Sequence, residues 1–196
     1  MRVILVRHAQ SEGNVMDLRQ RASAADFNAL LARSPDHPLT PEGEQQAHDV
    51  LPALSQLAVQ RLYASPFKRA YHTASIIGAG LGLTPVVIPE LREVVPNMVK
   101  QSRPQASIRR HYVGAFVAMT RRTKTVNWGA EYRRAKIAWG LITAEPCGAV
   151  VAVSHGWTIN LMLFALRRSK QWRVVSRDVR NAGISIVERR ALPIDD

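Results

Sequence analysis

At 196 residues, 46% of them hydrophobic, the chain is sized for one globular domain with a sizeable core, and no run approaches the roughly 18 apolar residues a membrane helix needs. One cysteine, Cys147, excludes an internal disulfide, and no cysteine pair or His-Glu-x-x-His spacing points to a metal; a reducing cytoplasm with no metal or cofactor is the expectation. The formal charge of +12 lies wholly in the second half, since residues 1–98 carry nine Lys or Arg against nine Asp or Glu and residues 99–196 carry eighteen against six.

The first predicted element is a strand over 3–6, where Val3, Ile4, Leu5 and Val6 form a short, mostly β-branched run suited to burial on both faces. The run is too short and too early for a signal peptide, so none is expected. It stops at Arg7 and His8. A cation and an imidazole thus stand where a strand emerges, and in open α/β sheets that edge is where ligands bind. A polar, Ala-rich excursion follows to about residue 37, with a short helix over 26–32. Thr40 then reads as an N-cap with Pro41 at the first helical position and Glu42 and Glu44 in the first turn. That helix should run to about residue 50, with Pro52 kinking or ending it before a second short segment to residue 57.

A second strand is predicted over 61–64, and Ser65 and Pro66 read as the cap and first residue of the next helix. Arg69, one turn inside, can point back to the helix N-terminus, where unpaired amides and the macrodipole favour an anion. The helix should end near 78–82. A third buried strand over 85–88 delivers Glu90, Leu91, Arg92 and Glu93 to the same sheet edge. Residues 99–146 read as helices over 105–121 and 131–143, separated by a turn at 127–129. A fourth strand over 148–153 ends in Ser154, His155 and Gly156 ahead of an apolar helix from 158 to 166, which repeats the arrangement around His8. A last strand spans 184–188, and the tail from 192 is expected to fray. The alternation predicts an α/β fold: a single domain over 1–196, built as a three-layer sandwich with a mostly parallel central sheet flanked by helices, and a helical basic segment over about 94–146. Residues 100–136 carry ten basic side chains against Glu131 alone, and 167–180 carry six against Asp178. Such a field gathers anionic ligands, although solvated helix faces account for many of these residues.

The run Arg7-His8-Ala9-Gln10-Ser11-Glu12-Gly13-Asn14 resembles the signature of the histidine phosphatase superfamily, the group that includes cofactor-dependent phosphoglycerate mutase. The family pattern is Arg-His-Gly, then Ser or Thr, then Asn, and Ala9 stands here for the glycine. Residues 39–47, Leu-Thr-Pro-Glu-Gly-Glu-Gln-Gln-Ala, are similar to the family's structural Leu-Thr-x-x-Gly-x-x-Gln-Ala segment. Residues 65–74 are similar to its Ser-Pro-x-x-Arg-Ala-x-x-Thr-Ala. The family also keeps a Leu-x-Glu after the third strand and a Ser-His-Gly after the fourth, as here.

The resemblance implies that His8 is a nucleophile forming a phosphohistidine and that Glu93 is the proton donor, with Glu90 as fallback. Arg7 and Arg69 would hold the phosphate as guanidinium forks, His155 would add a further donor, and Asn14, Ser11 and Gly156 would complete the cradle. It also implies that the segment over about 94–146 is a cap over the pocket, in which Arg109, Arg110, Arg121, Arg122 and Lys124 can reach extra negative charge. His111 and Trp128 read as pocket or packing residues, and Trp157 as a bulky neighbour that narrows the pocket. The implied activity is a metal-independent phosphomonoesterase acting on a small phosphorylated metabolite, with no membrane or nucleic-acid signature. A phosphoglycerate mutase-type phosphotransferase and a non-catalytic phosphate-binding module are the alternatives; mutases of the family carry more cap, which favours the phosphatase. Oligomeric state is not legible.

Overall fold

Two apolar strands lie side by side at the centre of a six-stranded sheet in the computed structural model, which describes residues 1–102, 104–121, 126–145 and 147–191. In chain order the strands are β1 (Arg2–Arg7), β2 (Arg21–Ala22), β3 (Val59–Ala64), β4 (Val86–Val87), β5 (Ala106–Ser107), β6 (Ala149–Ser154), β7 (Trp172–Ser176) and β8 (Ile184–Arg189). The helices are α1 (Glu12–Val15), α2 (Ala24–Arg33), α3 (Pro41–Asp49), α4 (Leu51–Ser55), α5 (Lys68–Leu81), α6 (Ile108–Ala118), α7 (Trp128–Ile142) and α8 (Gly156–Leu166).

The sheet order is β4-β3-β6-β1-β8-β7, with β4, β3, β6 and β1 parallel and β8 and β7 antiparallel additions at one side. Every residue of β6 is buried, as a parallel strand covered on both faces requires. Alternation along the strands divides the core. Val3, Leu5, Val150 and Ala152 face α7 and α8, while Ile4, Val6, Val151 and Val153 face α4 and α5. The fold is therefore the expected α/β arrangement of a mainly parallel sheet between helical layers. A smaller apolar cluster of Phe27, Leu31, Ile108 and Ala115 joins α2 to α6, and the two-residue strands β2 and β5 pair beneath it.

Local chemistry moves several boundaries. Ser65 does not cap α5: residues 66 and 67 bend first, Phe67 takes the N-cap position, and Arg69 is the second helical residue rather than a full turn inside. β4 is not a buried strand but a two-residue sheet edge, with Val86 56% and Val87 44% exposed and only Ile88 tucked in. The expected turn at 127–129 is the start of α7, whose cap Asn127 accepts from the Ala130 amide. α8 begins at Gly156, two residues early, with His155 as its N-cap. β7 was not foreseen; its Arg-Val-Val core lies in an exposed edge strand and lacks a buried face to read. Thr40 caps α3 as expected, accepting from the Gly43 amide at 3.1 Å. No helix among the described residues is long and apolar enough to cross a membrane.

Candidate active site

Because β1 and β6 pair in parallel with Arg7 opposite Ser154, the next residue on each strand emerges at the same edge. Those residues are His8 and His155. Their ring centroids are 5.0 Å apart, and the His8 amide donates to the Ser154 carbonyl at 2.8 Å. Both imidazoles are buried, a setting that disfavours their charged form.

The hydrogen bonds fix the His8 tautomer. Nδ1 lies 2.7 Å from the Ala9 carbonyl oxygen, which can only accept, so the proton sits on Nδ1 and Nε2 is left with its lone pair. Arg69 Nε donates to that nitrogen at 3.1 Å. Burial, reinforced by Arg69 and Arg7, holds the His8 pKa well below the ordinary imidazole range, so the ring is neutral near pH 7. Arg69 itself is anchored by Nη1 donating to the Ser34 carbonyl at 2.6 Å and by the Phe67 ring, 5.2 Å beneath the guanidinium. Thr73, one turn further along α5, accepts from the Ala9 amide at 3.1 Å and donates to the Arg69 carbonyl at 2.7 Å, tying the loop after β1 to the helix that carries the arginine. Arg7 donates through Nη1 to the Val179 carbonyl at 2.9 Å, and its buried Nε has no partner.

Glu93 reaches the same cleft from the loop after β4. Its Oε1 accepts from the Val94 amide at 2.8 Å and lies 3.5 Å from the Thr158 hydroxyl oxygen. Burial pushes its pKa above the usual carboxylate value, against the opposing pull of that amide, Arg69 and Arg7. The loop is held by Arg134, which sequence reasoning left among the solvated basic residues. Arg134 is buried on α7, paired with Glu131, and donates to the carbonyls of Glu90 and Arg92, the latter at 2.8 Å. Thr158 at the start of α8 donates to the Arg92 carbonyl at 2.7 Å as well.

The loop between His8 and Asn14 is clamped by the segment ahead of α3. Ser11 bridges to Leu39, the Thr40 amide donates to the Gln10 carbonyl at 3.1 Å, and Gln46 Oε1 accepts from the Gln10 amide at 3.0 Å. Gly43 packs so closely that a Cβ there would stand 2.0 Å from the Gln10 carbonyl oxygen. Asn14 turns back onto the loop, its Oδ1 accepting from both the amide and the hydroxyl of Ser11 at 3.0 Å.

These groups open on a cleft of about 320 Å³. Its lining joins the polar side chains of Arg7, His8, Ser11, Asn14, His37, Arg69 and Glu93 to the apolar and aromatic ones of Met16, Leu18, Leu31, Val95, Pro96, Tyr112, Phe116 and Trp157. No three His, Cys, Asp or Glu side chains gather in a metal-holding group among the described residues.

A model of the histidine phosphatase superfamily (branch 1) matches residues 3–191. The chain belongs to this superfamily. A protein of Yersinia enterocolitica named as the phosphoglycerate mutase GpmB is 34% identical over 109 residues, 55% of this chain and 44% of that protein. A protein of Hydrogenobacter thermophilus named as a phosphoserine phosphatase is 39% identical over 93 residues, 47% of this chain and 40% of that one. The matched stretch thus spans less than half the length of these curated relatives. Among solved structures, a mycobacterial glucosyl-3-phosphoglycerate phosphatase in complex with VO3 superposes with a TM-score of 0.60 at 25% identity, covering 84% of this chain and 81% of that one.

Of the residues singled out from the histidine phosphatase motifs, His8, Arg7, Arg69, Ser11, Asn14 and Glu93 line the cleft. His155 and Gly156 stand behind that lining. His155 Nε2 is 2.8 Å from the Ser65 hydroxyl and its Nδ1 is unpartnered, while a Cβ on Gly156 would touch the Arg7 guanidinium at 3.7 Å. Ala9 in place of the glycine is accommodated because it does not adopt positive φ; Ala58 and Ala182 are the non-glycine residues that do among those described. Glu90 stays outside the cleft lining. Arg109, Arg110 and Arg121 are exposed and do not line it either, and Arg122 and Lys124 lie outside the described residues. His111 is core, 5.1 Å from the Phe27 ring with Nε2 3.0 Å from the Ala22 carbonyl oxygen, and Trp128 packs on Phe116. Trp157 lines the cleft as expected. Tyr112 and His37 were missed. His37 stands against Gly13, where a Cβ would lie 2.4 Å from its Nδ1; the glycine after Glu12 was the signal available in sequence for a close approach.

Proposed function

We propose that the protein is a metal-independent phosphomonoesterase acting through a phosphohistidine on His8. The observation that carries this reading is the His8 tautomer: Nδ1 engaged by the Ala9 carbonyl leaves the Nε2 lone pair turned toward Arg69 in a cleft that also holds Arg7 and Glu93. A phosphate monoester entering this cleft meets two guanidinium groups that stay charged at any working pH. Arg69 exchanges its bond to Nε2 for one to a phosphate oxygen, which frees the lone pair. Nε2 then forms a bond to phosphorus as the ester P–O bond breaks, and the electron pair departs on the alkoxide. Glu93, kept protonated to higher pH than an ordinary carboxyl, gives its proton to that alkoxide. In the second half, water attacks phosphorus, the Glu93 carboxylate takes its proton, and the N–P electron pair returns to Nε2. Arg7, Arg69, Asn14 and Ser11 stabilise charge spread over the three equatorial oxygens. His155 acts from behind as a neutral neighbour that positions His8, and Gly156 opens α8 beside the Arg7 guanidinium.

The relatives named as phosphatases support hydrolysis, while those named as phosphoglycerate mutase favour a second reading with the same phosphohistidine. Hydrolysis of an aryl phosphate in the presence of chelator, lost in His8→Ala, and alkali-stable, acid-labile label on His8 test the first. Bisphosphoglycerate-dependent interconversion of phosphoglycerates would establish the second. Phosphate binding with neither activity would leave a binding module.

A further inference from the structure

We propose that the cleft carries an aromatic subsite for the alcohol half of the ester, so that the substrate class is phosphate monoesters of aromatic or similarly apolar alcohols. The inference rests on the phosphomonoesterase reading and adds what lies beyond the phosphate. The cleft lining is of unlike chemistry. Beside the arginines it includes Met16, Leu18, Val95, Pro96, Phe116 and Trp157, apolar or aromatic side chains that form the alcohol end in this proposal.

Trp157 is the residue that defines this end. It occupies the second position of α8, immediately after the turn that brings His155 behind His8, so its distance from the phosphate end is set by the helix itself. It is 46% exposed, a large apolar surface left in water beside a charged site. The indole is nevertheless braced. Phe116 lies 5.4 Å from it and Trp128 5.2 Å, and those two rings stack on each other at 5.9 Å with 19° between their planes. A ring held by two others loses little freedom when a ligand covers it, and a flat apolar group stacking there recovers the exposed area. The basic charge of α6 does not line the cleft: Arg109 and Arg110 are exposed and outside the lining, and among the described residues Arg7 and Arg69 are its arginines and no lysine joins them.

The experiment pairs turnover with binding. Benzyl phosphate and glycerol 3-phosphate release alcohols of comparable leaving ability, so their kcat/KM ratio reports the subsite. Calorimetry with the non-hydrolysable pair benzylphosphonate and 2-hydroxyethylphosphonate reports it without turnover. The expected result is at least roughly tenfold preference for the benzyl member of each pair, with the ratio reduced by Trp157→Ala and by Phe116→Ala, mainly through KM. Tighter benzylphosphonate binding without turnover of either ester supports the subsite and removes the hydrolase reading. Turnover of both esters with equal or inverted preference overturns the subsite and leaves the hydrolase reading intact.

Discussion

Replacing Glu93 with Gln separates proton donation from everything else the cleft does. The amide is nearly isosteric and keeps Oε1 as acceptor for the Val94 amide at 2.8 Å, and the Thr158 hydroxyl still donates to the Arg92 carbonyl, so the loop should keep its course. What disappears is an acidic proton. A positioned general acid contributes about 10²–10⁴-fold, which at about 1.36 kcal/mol per decade is roughly 2.7–5.4 kcal/mol of barrier. The full loss is expected on benzyl phosphate, whose alkoxide leaves poorly without a proton. On p-nitrophenyl phosphate, whose phenolate leaves unprotonated, the loss should be several-fold at most. In the wild type, kcat/KM for the alkyl ester should decline as pH rises through the raised Glu93 pKa, and the variant should lack that limb. Stability should move the other way. A carboxyl with a raised pKa binds more protons folded than unfolded, so it weakens the fold as pH rises through the ordinary carboxylate range, and Glu93→Gln should unfold at neutral pH at no lower urea than the wild type. Equal activity losses on both esters would refute the assignment of Glu93 as the acid.

Acid should destabilise the protein through its two buried imidazoles. Their folded pKa values lie well below the ordinary imidazole value of 6.5, so below that range the unfolded chain binds the extra protons and unfolding free energy falls with pH. The slope is about 1.4 kcal/mol per pH unit for each ring, and urea titrations of His8→Asn should lose one ring's share. Gly43→Ala should cost about 1–3 kcal/mol in denaturant unfolding, because its methyl group meets the Gln10 backbone and no side chain can yield. Arg134→Lys, which cannot hold Glu131 through two nitrogens while a third serves the Glu90 and Arg92 carbonyls, should lower kcat on benzyl phosphate by up to about 10²-fold while sparing the aryl ester, the same split as Glu93→Gln; uniform losses on both esters would count against Arg134 as a positioning residue.

The parts of this site that could be read from sequence are those written locally. A strand that stops at Arg7-His8, a second that stops at Ser154-His155, and a capped helix bearing Arg69 each carry their chemistry within a few residues. Glu93 was legible only through the Leu-x-Glu register, since β4, the strand expected to deliver it, is two exposed residues. Arg134, Tyr112 and His37 were not legible. Arg134 sits among ten basic residues, and only the fold brings Glu131 and two distant carbonyls to it. Ser65 was read as a helix cap because Pro66 follows it; the chain instead bends, and the hydroxyl is used by His155, 90 positions later. The clamp of α3 on Gln10 resolves why a motif without chemistry accompanies one that has it.

The order in which the sheet is laid down has a biosynthetic consequence. β6 sits between β3 and β1 yet follows both in the chain. While a ribosome is still translating the helical stretch before Ala149, β1 and β3 lack the strand that joins them, and their unpaired edges are the kind of template on which neighbouring chains pair. Productive folding in the cell therefore depends on shielding those edges until β6 emerges, and prematurely terminated products should be recovered as aggregates or chaperone-bound, without a trace of catalytic competence.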